Sequence, residues 1–308
     1  MNSLHAAVDD YLAIRRALGF KLDRHGPFLH DFVEFLAAAG SDVITIDLAV
    51  AWATQPSGAD PSWWAARLAV VRVFARHHHA IDVASQVPPP DVLPGQSRRA
   101  EPFLYTNEQV TALQTAARAV RTPLRAATYD TLIGLLAVTG MRVGEAIRLD
   151  RTDIDWTTGL VTIRDTKFAK TRQIPLHPST LDALDDYATV RDRHPKTRST
   201  PAWFSSTVGT RLIYKNVHRC FHQLTIDAGL APRSPRCRPR VHDLRHRFAV
   251  ATLTGWYADG QPIDARLPLL STYLGHISPS STYWYLTATP ELLELVMQRL
   301  DNTREMLS

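Results

Sequence analysis

Two neighbouring runs decide how this chain is read: VHDLRHRFAVATLTG over residues 241–255 and LLSTYLGHISPSSTYWYL over residues 269–286. If the first is helical, His242 and Arg245 stand three positions apart and project from one face, where together they can hold an anion. In the second, Gly275 ends a short apolar helix and His276 follows it. A Ser/Thr/Pro turn then leads to Tyr283, Trp284 and Tyr285. Cations, a second imidazole and an aromatic hydroxyl are the groups that attack on a phosphodiester requires.

Working outward, TGMRVGEAIRL (139–149) adds a second arginine. Gly140 permits a tight turn, which sets Arg142 in the first turn of the next helix, where free backbone N–H groups already favour an anion. Glu145, at i+3, either orients Arg142 or forms a plain surface ion pair with it. The stretch DIDWTTGLVTIRDTKFAKTRQIPL alternates around Leu160, Val161 and Ile163 and resumes at Gln173, which predicts a small β-hairpin. A lysine at its tip, Lys167 or its neighbour Lys170, can reach a departing oxygen and donate a proton. Helices are predicted at TNEQVTALQTAARAV, with Thr106 and Gln109 as a capping box, at LRAATYDTLIGLLAV, at STLDALDDYA and at IYKNVHRCFHQLTIDAG. Cys220 falls on the apolar stripe of the last. The segment after it, PRSPRCRPR, is extended and cationic, so Arg233, Arg236, Arg238 and Arg240 are candidates for tracking a phosphate backbone.

The first third of the chain reads as four helices: Leu4 to Leu18, Phe28 to Ala39, one opened by Asp47, and one running through SWWAARLAVVRVFARHHH after Pro61. Arg15, Arg16, Lys21, Arg24, Arg67, Arg72 and Arg76 are expected on their polar faces, free to follow DNA. His77, His78 and His79 are consecutive, so on a helix they point three ways and do not predict a metal site. SQVPPPDVLPGQSRRAEP is too rich in proline to continue a helix and reads as a linker, where Arg98 and Arg99 can meet a phosphate. The domain boundaries are therefore drawn at 1–86, 87–101 and 102–308.

Composition is compatible with a nucleic-acid partner. The 308 residues include 35 Lys and Arg against 30 Asp and Glu, and the isoelectric point is near 9.3. This balance suits a polyanion better than an acidic partner. Two cysteines make no disulfide framework and no zinc pair, which fits a reducing cytosol. No run resembles a signal peptide or a membrane span, so a cytoplasmic protein is expected.

Taken together, TGMRVGEAIRL, Lys167, HDLRH, LGH and a tyrosine nine residues beyond that last histidine resemble the tyrosine recombinase, or phage integrase, family, in the family's order and across most of residues 102–290. YLAIRRALGF and WYADGQPIDARLPLLSTYLGH look most like its transposon-associated branch. The resemblance implies a mainly α fold with a small antiparallel sheet, in which an N-terminal helical core-binding domain precedes an integrase-type catalytic domain. It assigns Tyr285 as nucleophile, Arg142 and Arg245 as a phosphate clamp, Lys167 as general acid, and His242 and His276 as the active-site histidines, with His242 the candidate base. Between Tyr283 and Tyr285 only the spacing from His276 chooses. The implied reaction is site-specific recombination through a 3′-phosphotyrosine, without metal or other cofactor. The implied partners are double-stranded DNA, further copies of the chain in a tetramer, and other recombinases of the same element. The segment 289–307 is expected to dock as a helix, on its own domain or on a neighbour's. A type IB topoisomerase-like relaxing enzyme and a catalytically silent DNA-binding accessory protein remain the alternatives.

Overall fold

In the computed structural model the chain divides into two compact units, Met1–Arg99 and Ala100–Ser308, and residues 3–95, 101–164, 171–276, 278, 280–283 and 285 are described. Among the described residues, the first unit contains four helices, α1 (Ser3–Ala17), α2 (His25–Ala38), α3 (Ile46–Thr54) and α4 (Pro61–His79). Leu4, Val8, Tyr11 and Leu12 of α1 are buried against Leu29, Phe32, Trp52, Val71 and Phe74. Each large apolar side chain so buried stabilises by about 1.5–3 kcal/mol. Leu18 does not join them: α1 ends at Ala17, and the turn leaves Leu18 67% exposed. Helix α3 is capped by Thr45, not Asp47, because the Thr45 hydroxyl accepts from the Leu48 amide. Asp47 instead sits in the first turn, where its charge suits the helix dipole.

Two arginines expected on the polar surface of this unit are used inside it. Arg67 is buried on the apolar side of α4, its guanidinium carbon 3.9 Å from the Trp52 ring centre. Arg72 donates from Nε to the Pro88 carbonyl at 2.8 Å and from Nη2 to the Pro89 carbonyl at 2.7 Å. With Val87 and Leu93 also packed on the first core, this part of the proline-rich stretch is strapped to the helices. The three histidines diverge: His77 packs on Tyr11, His78 stacks on Phe74, and His79 Nδ1 meets the Ser85 carbonyl.

The second unit is built around α6 (Pro123–Thr139), against which α5 (Asn107–Arg118), α8 (Pro178–Arg193) and α10 (Asp243–Ala258) pack. Leu132, Ile133, Leu135 and Leu136 of α6 are all buried, so the helix is apolar on several sides, as a central helix must be. Thr106 and Gln109 form the capping box of α5. The short α7 (Val143–Arg148), then α9 (Tyr214–Asp227), α11 (Ile263–Leu274) and α12 (Ser280–Tyr283) are the other α-helices among the described residues.

A three-stranded antiparallel sheet lies beside the helices, in the order β1 (Ile154–Asp155), β2 (Leu160–Ile163), β3 (Arg172–Pro175). Its register sets Val161 opposite Ile174 and Ile163 opposite Arg172. Val161, Ile163 and Ile174 face the core, the alternation that identified the hairpin. The connection between β2 and β3 includes 165–170, so Lys167 and Lys170 lie outside the described residues, as do Arg98 and Arg99. Trp284 and the expected C-terminal helix at 289–307 also lie outside them. Among the described residues, no helix is long and apolar enough to cross a membrane.

Candidate active site

The turn between α6 and α7 begins the site. Gly140 closes α6 with a left-handed φ of 61°, and a Cβ there would come within 2.4 Å of the Phe248 ring. Glycine thus serves twice, by adopting the turn and by letting α10 approach. Two residues on, Arg142 is the N-cap of α7 instead of a member of its first turn. Its amide donates to Glu145 Oε2 and its Nη1 to Glu145 Oε1, both at 2.8 Å. Its Nη2 donates to the Gly275 carbonyl at 3.0 Å, and its side chain remains 37% exposed.

Arg245 comes to the same place from α10. It is 2% exposed and donates from Nη1 to the Gly140 carbonyl at 2.9 Å and from Nη2 to the Leu274 carbonyl at 2.6 Å. Arg142 and Arg245 therefore converge on consecutive carbonyls at the C-terminal end of α11, whose negative dipole favours cations. A third guanidinium, not singled out from the sequence, completes the set. Arg172 donates from Nε to the Tyr273 carbonyl at 2.8 Å and grips Glu145 with both Nη atoms, at 3.1 and 2.8 Å.

These groups set one another's charge. Burial pushes the Glu145 carboxyl up, but hydrogen bonds and charge from Arg172 and Arg142 outweigh it and hold the pKa at about 2. Burial, with Arg142 and Arg172 nearby, pushes Arg245 down to about 10, while Tyr285 and Glu145 act in the opposite sense. Arg245 is therefore charged at neutral pH despite its burial. Three guanidiniums against one carboxylate leave a formal charge of +2 with donors to spare. Such a site is suited to the equatorial oxygens of a phosphoryl group as charge develops on them.

The imidazoles and the phenol lie beside this cluster. His242, the N-cap of α10, is exposed. Its ring centre is 4.8 Å from that of His246, and His246 in turn packs 5.4 Å from the Tyr285 ring. His246 was missed in the sequence, although it stands four residues from His242 and thus on the same stripe. Gly275 ends α11 with φ 66°. His276 follows, with Nδ1 2.7 Å from the Thr282 hydroxyl and its ring stacked 6.1 Å from Tyr285. Tyr285 is 2% exposed among α10 and α11 side chains, whereas Tyr283 is 53% exposed.

The basic loop is divided in its attachments. Arg240 forks onto Asp243 with bonds of 3.0 and 2.8 Å. Arg233 lies 4.6 Å over the Phe103 ring and donates to the Leu104 carbonyl. Arg236 is exposed, as is Arg238, whose Nε donates to the nearby Pro235 carbonyl.

Comparison with known proteins gives the same picture. The sequence pattern of the phage integrase family matches residues 103–291. The protein y4rB of Sinorhizobium fredii, provisionally named an integrase/recombinase, is 44% identical over 99% of both chains. The XerH site-specific recombinase, in a post-cleavage complex with palindromic difH substrate, matches 90% of this chain and 79% of its own at 19% identity, with a TM-score of 0.66. A lambda integrase from a tetramer bound to a Holliday junction matches 92% of this chain and 76% of its own at 21% identity, with a TM-score of 0.58.

Proposed function

We propose a function from one premise: this chain belongs to the phage integrase family. It is a tyrosine-type site-specific DNA recombinase that breaks and rejoins DNA by transesterification. The observation that carries this is the convergence of Arg142 and Arg245 on adjacent backbone carbonyls, with the Tyr285 ring packed beside His246 and His276.

In the proposed reaction the Tyr285 oxygen attacks the scissile phosphorus and the phosphorus–O5′ bond breaks. A 3′-phosphotyrosyl bond forms, and the departing 5′ oxygen takes a proton from Lys167. Arg142 and Arg245 neutralise the equatorial oxygens. A phenol with a pKa of about 10 is a weak nucleophile at neutral pH, so its proton must be accepted as it attacks. His242 serves as that base, with His246 between it and the phenol as a relay or support, and His276 orients the ring and the phosphate. The ester energy is retained in the protein link, so a 5′-hydroxyl from a second strand reverses the step and completes exchange.

Double-stranded DNA is the substrate and a tetramer on two duplexes the working assembly, in the integration, excision or transposition of a mobile element. The DNA complexes of XerH and of the lambda integrase tetramer support this reading. Residues 1–86 act as the core-binding domain and 102–308 as the catalytic domain, joined by 87–101. Arg98, Arg99, Arg233, Arg236, Arg238 and Arg240 contribute to the DNA-facing surface.

The test is trapping on a nicked suicide duplex carrying the element's end. A covalent protein–DNA adduct on that DNA, with no relaxation of a plasmid lacking the site, is expected. Relaxation of any supercoiled plasmid would make the protein a topoisomerase-like enzyme, and binding without an adduct would make it an accessory factor.

A further inference from the structure

Arg172 occupies a junction that the reaction above does not explain. It is the first residue of β3, directly after the connection that carries Lys167. Its side chain is only 12% exposed, and its guanidinium lies so close to Gly275 that a Cβ there would meet Nη1 at 2.8 Å. From this position it reaches two other elements, α7 through Glu145 and the last turn of α11 through the Tyr273 carbonyl. The next two carbonyls of that turn, Leu274 and Gly275, are the ones that receive Arg245 and Arg142.

The carboxylate of Glu145 supplies the physical argument. Its two oxygens offer about four acceptor positions, and all four are taken: two by Arg172, one by the Arg142 amide and one by Arg142 Nη1. Because Arg172 holds both oxygens, Arg142 bonds Glu145 through Nη1 alone and keeps Nη2 turned to the Gly275 carbonyl. If Arg172 is removed, a carboxylate that is 3% exposed keeps a single cationic partner. A buried anion in that position draws the remaining guanidinium into a two-pronged pair. Arg142 would then turn both prongs inward, and the site's formal charge would fall from +2 to +1.

We infer that Arg172 is a positioning residue of the strand-cleavage site: by holding Glu145 and the end of α11, it keeps the Arg142 guanidinium available to the scissile phosphate. The inference rests on the recombinase reading and adds a residue to it. A strut that served only the fold would make the same bonds, but it would not make the loss of Arg172 correctable by removing the charge on Glu145.

The experiment measures single-turnover cleavage of the suicide duplex at saturating protein for wild type, Arg172→Ala, Arg172→Ala/Glu145→Gln and Tyr285→Phe, with DNA affinity measured alongside. Arg172→Ala is expected to cleave at least about tenfold more slowly, with affinity changed less than twofold. The double variant is expected to cleave several-fold faster than Arg172→Ala. If Arg172→Ala does not fold, Arg172→Gln, closer in size and also uncharged, takes its place in both proteins. Cleavage by the single variant within twofold of wild type, or a double variant no faster than the single, would overturn the inference. Wild type that forms no adduct would overturn the recombinase reading itself, whereas a wild-type adduct absent from Tyr285→Phe leaves that reading standing whatever Arg172 does.

Discussion

Arg67 in the first unit and Arg245 in the second are both buried, and for opposite reasons. Arg67, in the first unit, lies over the Trp52 ring, donates to the Trp52 carbonyl at 3.1 Å and sits 3.5 Å from the Asp31 carboxylate. Its charge has a ring face, a carbonyl and an anion around it, so it acts as part of the core. Arg245, in the second unit, has two carbonyls but stands near Arg142 and Arg172, and its pKa is pushed down, first by burial and then by these like charges. A buried cation kept among like charges is unfavourable for folding, and it makes sense where the missing counter-charge belongs to a substrate. What surrounds a buried charge says more about its role than its burial does.

The largest effect should come from Arg245. Arg245→Gln removes a charged two-pronged donor from the transition state, and cleavage should fall by about 10²–10³-fold if it behaves like an oxyanion-hole donor. Since the depressed pKa means that the folded protein disfavours this charge throughout the range below about 10, melting temperature should hold or rise. A loss of stability as severe as the loss of cleavage would erase the contrast with Arg67.

Next comes acid. Glu145 titrates at about 2 in the fold against about 4.3 in an unfolded chain. Its depressed pKa contributes stability that is fully present above the unfolded value and is lost as pH falls through that window. The contribution is roughly 3 kcal/mol. Denaturant titrations at pH 6 and pH 3 should show that the wild type loses more stability on acidification than Glu145→Gln does; equal losses would refute the charge assignment.

Smallest is the effect at Arg67. Arg67→Met keeps the aliphatic bulk and removes the cation over Trp52, which should cost the first unit about 1–2 kcal/mol. Single-turnover cleavage of bound DNA should not change. A cleavage defect in the folded variant would mean that Arg67 is more than a core residue.

The parts of this organisation that are local in sequence were legible in it. The Thr106 capping box and the Gly140 turn before Arg142 each rest on contacts within a few positions. Arg172 was not legible, because before Gln-Ile-Pro-Leu it reads as a strand's first polar residue and its carboxylate partner lies 27 positions upstream. Strand β1 has two residues, too few for any alternation. Arg67 did carry a signal: Arg67, Val71, Phe74 and His78 follow one another at steps of four, three and four, so it lies on the apolar stripe of α4 and not opposite it. His246 carried the same kind of signal from His242. The clamp itself joins residues 133 positions apart in the chain, Arg142 and Gly275, and no local pattern contains that contact.

The most direct test of the whole arrangement is to identify the atom that holds the DNA. Wild-type protein trapped on a nicked suicide duplex can be digested with protease and nuclease, and the nucleotide-bearing peptide sequenced by mass spectrometry. The nucleotide should sit on Tyr285, the buried phenol beside His246, His276 and Arg245. A nucleotide on the exposed Tyr283, or on a residue outside this cluster, would contradict the account.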